Sequence, residues 1–177
     1  MSIKNIKILG TIGIFLLCFP LHFLYNWLPN SLFSIFLPVN ESIWEHMKII
    51  YTSFILYGII DYFWLKKDNE FNNFLLQLFL VPLLGMILYL VIYVPIYNII
   101  GENMLFSIAL LAFIIVFEQI ISYLLLTAKE IKYQSIIGVI GIILIYIIFG
   151  YLTYKPLENY IFFDSKDSKY GINIYVK

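Results

Sequence analysis

Five long apolar stretches, separated by short polar ones, organise the chain, covering residues 6–28, 43–65, 74–99, 104–126 and 136–154. At about 1.5 Å per residue, a helix of such length crosses the roughly 30 Å hydrocarbon core of a bilayer. The connectors, residues 29–42, 66–73, 101–103 and 127–135, are too short for a second domain and contain no repeat or low-complexity linker. The first stretch follows Lys4 and Lys7, but no small-x-small cleavage pattern comes after it, which predicts an uncleaved first helix rather than a signal peptide. The expected fold is all-α. It is a polytopic membrane bundle of about five helices over residues 1–154, with a short tail over residues 155–177 that is able to pack on the outer face.

Composition makes the same point. Of 177 residues, 62% are hydrophobic, 19% aromatic and 12% charged, against about 25% charged in soluble domains. Too little polar sequence remains to cover a water-facing surface. Arginine is absent and the formal net charge is zero, which argues against nucleic acid as a partner. The single cysteine, Cys18, excludes an internal disulfide and any paired-cysteine redox or zinc motif.

The lysines in the short loops set the orientation. Lys4 and Lys7, Lys66 and Lys67, and Lys129 and Lys132 mark the cytoplasmic ends, whereas residues 29–42 and 101–103 hold no lysine. The expected topology is N-in and C-out, so the tail lies outside.

Polar chemistry concentrates where the second span begins, in Pro38-Val39-Asn40-Glu41-Ser42-Ile43-Trp44-Glu45-His46-Met47-Lys48. On a helix, Glu41, Glu45, Lys48 and Thr52 fall within about 60° of one another, with Ser42, His46 and Ser53 on a neighbouring stripe. Ile43, Met47 and Ile50 occupy the far side and are expected to face lipid. Capping accounts for part of this pattern. Asn40 suits an N-cap, Ser42-x-x-Glu45 matches a capping box, and Glu45 can pair with Lys48 one turn on. Capping does not account for His46, or for His22, which lies about 9 Å below the outer end of the first span, at the depth of Glu45 and His46.

Carboxylates and imidazoles at one depth are the ligand types that hold zinc, manganese or iron. The expected metal ligands are His22, Glu41 and Glu45, with Glu41 and Glu45 sharing an ion at i, i+4 and His46 acting as acid/base or behind the ion. The expected catalytic residues are His46, Glu45 and His22. Glu118 stands apart, about 21 Å below the outer end of the fourth span. Ser107, Glu118 and Ser122 share a stripe there, with Gln119 beside it. A lone ionisable group in mid-span is either a hydrogen-bonded packing element or a proton or cation step. Asp61 is expected to pair locally with Lys66 and Lys67, and Gly138 and Gly141 to permit close helix packing. No Gly-x-Ser-x-Gly elbow, His-Glu-x-x-His motif or Walker loop is present.

Leu21-His22-Phe23-Leu24-Tyr25, the core Asn40-Glu41-Ser42-x-Trp44-Glu45-His46, and Phe163-Asp164 with Tyr170-Gly171-Ile172 together resemble an uncharacterised domain-of-unknown-function family of small bacterial multi-spanning membrane proteins. The resemblance implies a polytopic protein of the bacterial cytoplasmic membrane and no particular activity. It also brings Asp164 to the side of His22 and Glu45, where the tail could close over them.

Three readings follow. The leading one is a membrane-embedded hydrolase or transferase, assisted by a divalent metal such as zinc and acting on a lipid or lipid-linked substrate at headgroup level. The second is a small solute or ion-coupled transporter using Glu118, and the third a non-catalytic accessory subunit; Ser122 is a further candidate. Lys48 and Asp164 complete the candidate set.

Overall fold

Each apolar stretch folds as one helix. The computed structural model describes residues 1–172 and the backbone of Ile174 and Tyr175; the end of the expected tail, at Lys177, lies outside the described residues. The spans are α1 (Ile3–Trp27), α3 (Ile43–Asp68), α4 (Phe74–Ile100), α5 (Met104–Thr127) and α6 (Gln134–Tyr154), each long and apolar enough to cross a membrane. The protein is a multi-pass helical membrane protein. Apolar side chains such as Phe63, Val91, Ile120 and Ile147 point outward, where lipid replaces water.

Local chemistry sets the ends. Ser2, Ser42 and Asn103 cap α1, α3 and α5 by accepting the N–H of Asn5, Glu45 and Phe106. Asn73 takes the left-handed conformation, at φ 55°. Its amide donates to the carbonyls of Leu125 and Lys129 and accepts from the N–H of Ile131, tying the α3–α4 connector to the α5–α6 connector. The amino terminus pairs with Asp68 at 2.9 Å, so the chain begins beside the end of α3 and the tail emerges at the opposite end of the bundle.

α3 is the most buried span and the least hydropathic. It packs against α1 and α4, while α1 also meets α5, and α4 meets α5 and α6. Its central place corrects one expectation. Ile43, Met47 and Ile50 do not face lipid but form a core with Tyr51, Tyr89 and Phe149. A helix surrounded by neighbours buries its apolar arc as well as its polar one. Gly138 presses on the backbone of Leu75 and Gly141 on the ring of Phe79, so no β-carbon fits there without displacement; these glycines let α6 approach α4 closely.

Asp61 also departs from expectation. It pairs not with Lys66 or Lys67 but with Lys7 of α1, and both residues are buried. Lys66 and Lys67, five and six residues on, lie more than about 100° round the helix from Asp61, so neither shares its buried face. Two further features carry little sequence signal. The connector after α1 contains a short helix, α2 (Phe33–Phe36), and the tail forms a small antiparallel sheet of β1 (Phe163–Asp164), β2 (Lys169–Tyr170) and β3 (Ile174–Tyr175).

Candidate functional site

The site is organised by where α3 begins. Ser42 is the N-cap, with extended backbone, and its hydroxyl accepts the Glu45 N–H at 3.3 Å. Asn40 does not cap the helix. Its Oδ1 accepts the Ser42 N–H, and its Nδ2 donates to the Gly171 carbonyl of the tail at 2.8 Å. Glu41 therefore precedes the helix rather than lying on it.

That placement separates Glu41 from Glu45, and the ligand atoms brought together are those of His22, Glu41 and His46, not the expected i, i+4 pair of carboxylates. Glu45 is buried and accepts from Lys48 at 2.6 Å and from the Val39 N–H at 3.0 Å. Thr153 of α6 donates to its other oxygen at 3.2 Å. The Lys48 ammonium also donates to the Ser34 carbonyl at 2.8 Å and to Thr153. Glu45 and Lys48 thus form a buried staple that fixes the α1–α3 connector against α3 and α6. Neither side chain reaches the histidines.

Glu41, released from the helix, turns toward His22 and His46. The two Nε2 atoms lie 3.1 Å apart, and Glu41 Oε2 is 3.6 Å from His22 Nε2 and 3.7 Å from His46 Nε2. One ligand atom from each of the three residues lies within 4.8 Å of the others. A tetrahedral ion with ligand distances of about 2.0–2.1 Å sets its ligand atoms roughly 3.3 Å apart, close to these spacings. The Nδ1 of His46 donates to the Ser42 carbonyl at 2.8 Å. A carbonyl only accepts, so the neutral ring carries its proton on Nδ1 and presents a lone pair at Nε2. His46 thus stands among the would-be ligands and not behind them.

The tail completes the site. Asp164 is buried, and its carboxylate accepts the Glu41 N–H at 3.0 Å while its other oxygen takes the Lys166 N–H at 2.9 Å. It positions Glu41 and the tail turn and does not reach the histidines. The Trp44 N–H donates to the Ile161 carbonyl at 2.9 Å, which ties the tail to the first turn of α3. Lys166 sits 3.5 Å from Glu41 and 3.7 Å from Glu102. Slight burial works against its charge, but these carboxylates, its hydrogen bond to Glu41 and nearby Asp164 hold the ammonium above the ordinary lysine value.

His22, His46, Glu41 and Lys166 line one wall of a cavity of about 490 Å³. Its other walls are largely apolar, from Phe19 and Phe23 of α1, Tyr89 and Tyr93 of α4, and Ile108 and Leu111 of α5, and it reaches down to Cys18.

The model of a family described as "Family of unknown function (DUF6512)" matches residues 2–172. The chain belongs to this family. No curated protein and no solved structure matches it. Every residue of the cavity wall described above falls within the stretch matched to DUF6512.

The remaining candidates of this DUF6512 chain lie deeper. Glu118 is buried, neither carboxyl oxygen has a hydrogen-bond partner among the described residues, and its tip rests against Gly85. Ser122 donates to Gln77 at 2.8 Å, and Ser107 to Tyr93 at 3.3 Å, so the predicted α5 stripe divides among separate partners. Lys7, Thr153, Glu102 and Lys166 were not legible as parts of these networks. Of these, Lys7 carried a usable signal, because it lies at the depth of Asp61 on an antiparallel neighbour.

Proposed function

We propose that the protein is a membrane-embedded, metal-dependent hydrolase or transferase acting on a lipid or lipid-linked substrate. The observation that carries this reading is the convergence of His22 Nε2, His46 Nε2 and Glu41 Oε2 on the wall of a largely apolar cavity. Two imidazoles and one carboxylate form the ligand set of many catalytic zinc sites, which leave a coordination position for water or substrate. A divalent ion there would act as a Lewis acid and lower the pKa of a bound water to about 7. The chain's own groups do the rest. The Ser42 carbonyl orients His46, Asp164 orients Glu41 through its backbone, and Lys166 offers a cation to a polar headgroup at the cavity wall. Phe19, Phe23 and Met104, all exposed on the bundle surface, border the cavity and suit entry of an acyl or isoprenoid chain from the lipid.

The membrane is read as a bacterial cytoplasmic membrane with the tail on the extracytoplasmic side. Support comes from the loop lysines, since Lys4, Lys66, Lys67, Lys129 and Lys132 lie at the end of the bundle opposite the tail. Residues 1–154 form the membrane domain and residues 155 onward the capping tail.

Incubating the purified protein and zinc with a bacterial total lipid extract tests the reading, with products followed by mass spectrometry. Wild type is expected to convert at least one lipid class, with conversion lost on chelation and in Glu41→Gln. An unchanged lipid profile, or equal conversion by Glu41→Gln, contradicts it.

A further inference from the structure

The interface between α1 and α3 carries polar residues at four successive levels. At the tail end His22 meets His46. One turn deeper on α1, Cys18 donates to Ser53 at 3.4 Å. Deeper again, Tyr57 packs over Gly10 and Gly13. At the N-terminal end Lys7 meets Asp61. His46, Ser53, Tyr57 and Asp61 stand at i, i+7, i+11 and i+15, one face of α3. Lys7 and His22 are likewise fifteen residues apart on α1, so the seam covers about 22 Å of a roughly 30 Å hydrocarbon core.

α5 adds two polar groups to the middle of this seam. Gln119 packs over Gly10 beside Tyr57, and Glu118 rests against Gly85 of α4, one turn from the cluster in which Cys18 packs with Val81 of α4 and Ile115 of α5. The cavity ends at Cys18, and Lys7 is about 16 Å further along α1. Glu118 and Gln119 occupy that interval. Both oxygens of Glu118, both amide atoms of Gln119 and Oδ1 of Asp61 are buried without a hydrogen-bond partner among the described residues. Buried polar atoms are normally paired, and in a bilayer core the unpaired ones are especially costly. A row of them at successive depths is the pattern that bridging water satisfies. A carboxyl group in such a row, with no cation beside it, is a functional group by default.

We propose that this seam is a proton pathway through the bundle, with Glu118 as its mid-depth relay. A proton enters from the cavity past Cys18 and Ser53 and forms an O–H bond on a Glu118 carboxyl oxygen. That O–H then breaks, and the proton leaves past Gln119 and Tyr57 toward Asp61. Nothing is oxidised or reduced. Each proton carries one positive charge, so sustained flux needs a compensating ion. The pathway does not require a metal ion at the histidines.

The test uses the full chain in proteoliposomes loaded with potassium and a pH-sensitive dye, after chelation, with valinomycin supplying the compensating charge. Diluted into potassium-free medium, wild type is expected to acidify the lumen faster than protein-free vesicles. The isosteric Glu118→Gln is expected to lose that flux, Glu118→Asp to keep part of it, and Glu158→Gln, on the exposed tail, to keep all of it. If Glu118→Gln does not purify as a monodisperse helical protein, Gly85→Ala replaces it, because the added methyl displaces the Glu118 carboxyl and is expected to slow the flux. The proposal is overturned if wild type conducts no better than protein-free vesicles. It is also overturned if flux survives in folded Glu118→Gln, or in folded Gly85→Ala where that variant stands in. Because the metal has been removed, failure here leaves the enzyme reading untouched.

Discussion

Glu41 and Glu45 differ by four positions and do unrelated work. Glu45 is held by Lys48, Thr153 and the Val39 N–H and is not among the ligand atoms that converge with His22 and His46. Truncating it leaves the Lys48 ammonium buried without its counter-charge. Glu45→Ala is therefore expected to destabilise the protein by about 3–5 kcal/mol, whereas Glu45→Gln paired with Lys48→Met recovers much of the loss. Thermal unfolding in detergent measures both, and a Glu45→Ala protein as stable as wild type would contradict the staple. The matched depth of His22 and His46 was legible beforehand, because helix rise fixes depth. The division between Glu41 and Glu45 was not. It depends on the helix starting after Ser42, and the strong cap residues Asn40 and Ser42 both stood in the right place to start it. With Glu41 off the helix, the angle expected between Glu41 and His46 no longer applies, and His46 becomes a partner.

At the scale of elements, the five spans were legible because twenty or so apolar residues in lipid have one stable backbone solution. Which faces meet was less so. The burial of Ile43, Met47 and Ile50 and the pairing of Asp61 with Lys7 follow from α3 lying among its neighbours, a tertiary fact that periodicity within one helix does not contain. The tail shows the opposite limit. Two-residue strands carry almost no pattern, and the order of this segment comes from Asp164, which accepts the N–H groups of Glu41, Lys166 and Asp167. Asp164→Ala is expected to raise amide hydrogen exchange at those three positions and to leave the spans unchanged. Exchange at the wild-type rate there would show that the tail is held by other contacts.

On the scale of the whole molecule, charge is scarce, and four of the six buried charged residues among those described stand in two pairs, while Asp164 is held by backbone N–H groups. Lys7 with Asp61 holds one end of the α1–α3 interface, and Glu45 with Lys48 holds the connector at the other. Among the described residues, Glu118 is the ionisable side chain buried in mid-bundle with no hydrogen-bond partner at either oxygen. The half-buried triad of His22, His46 and Glu41 is different again, since it faces a cavity. These two exceptions to the pairing of charge are the positions proposed as functional. The most direct measurement is the divalent metal content of protein purified in detergent and dialysed against trace zinc, for wild type, His22→Ala, His46→Ala, Glu41→Gln and Glu45→Gln. The expected result is stoichiometric metal in wild type and Glu45→Gln, and loss in the other three. Metal absent from wild type, or retained in His46→Ala and lost in Glu45→Gln, would contradict the site.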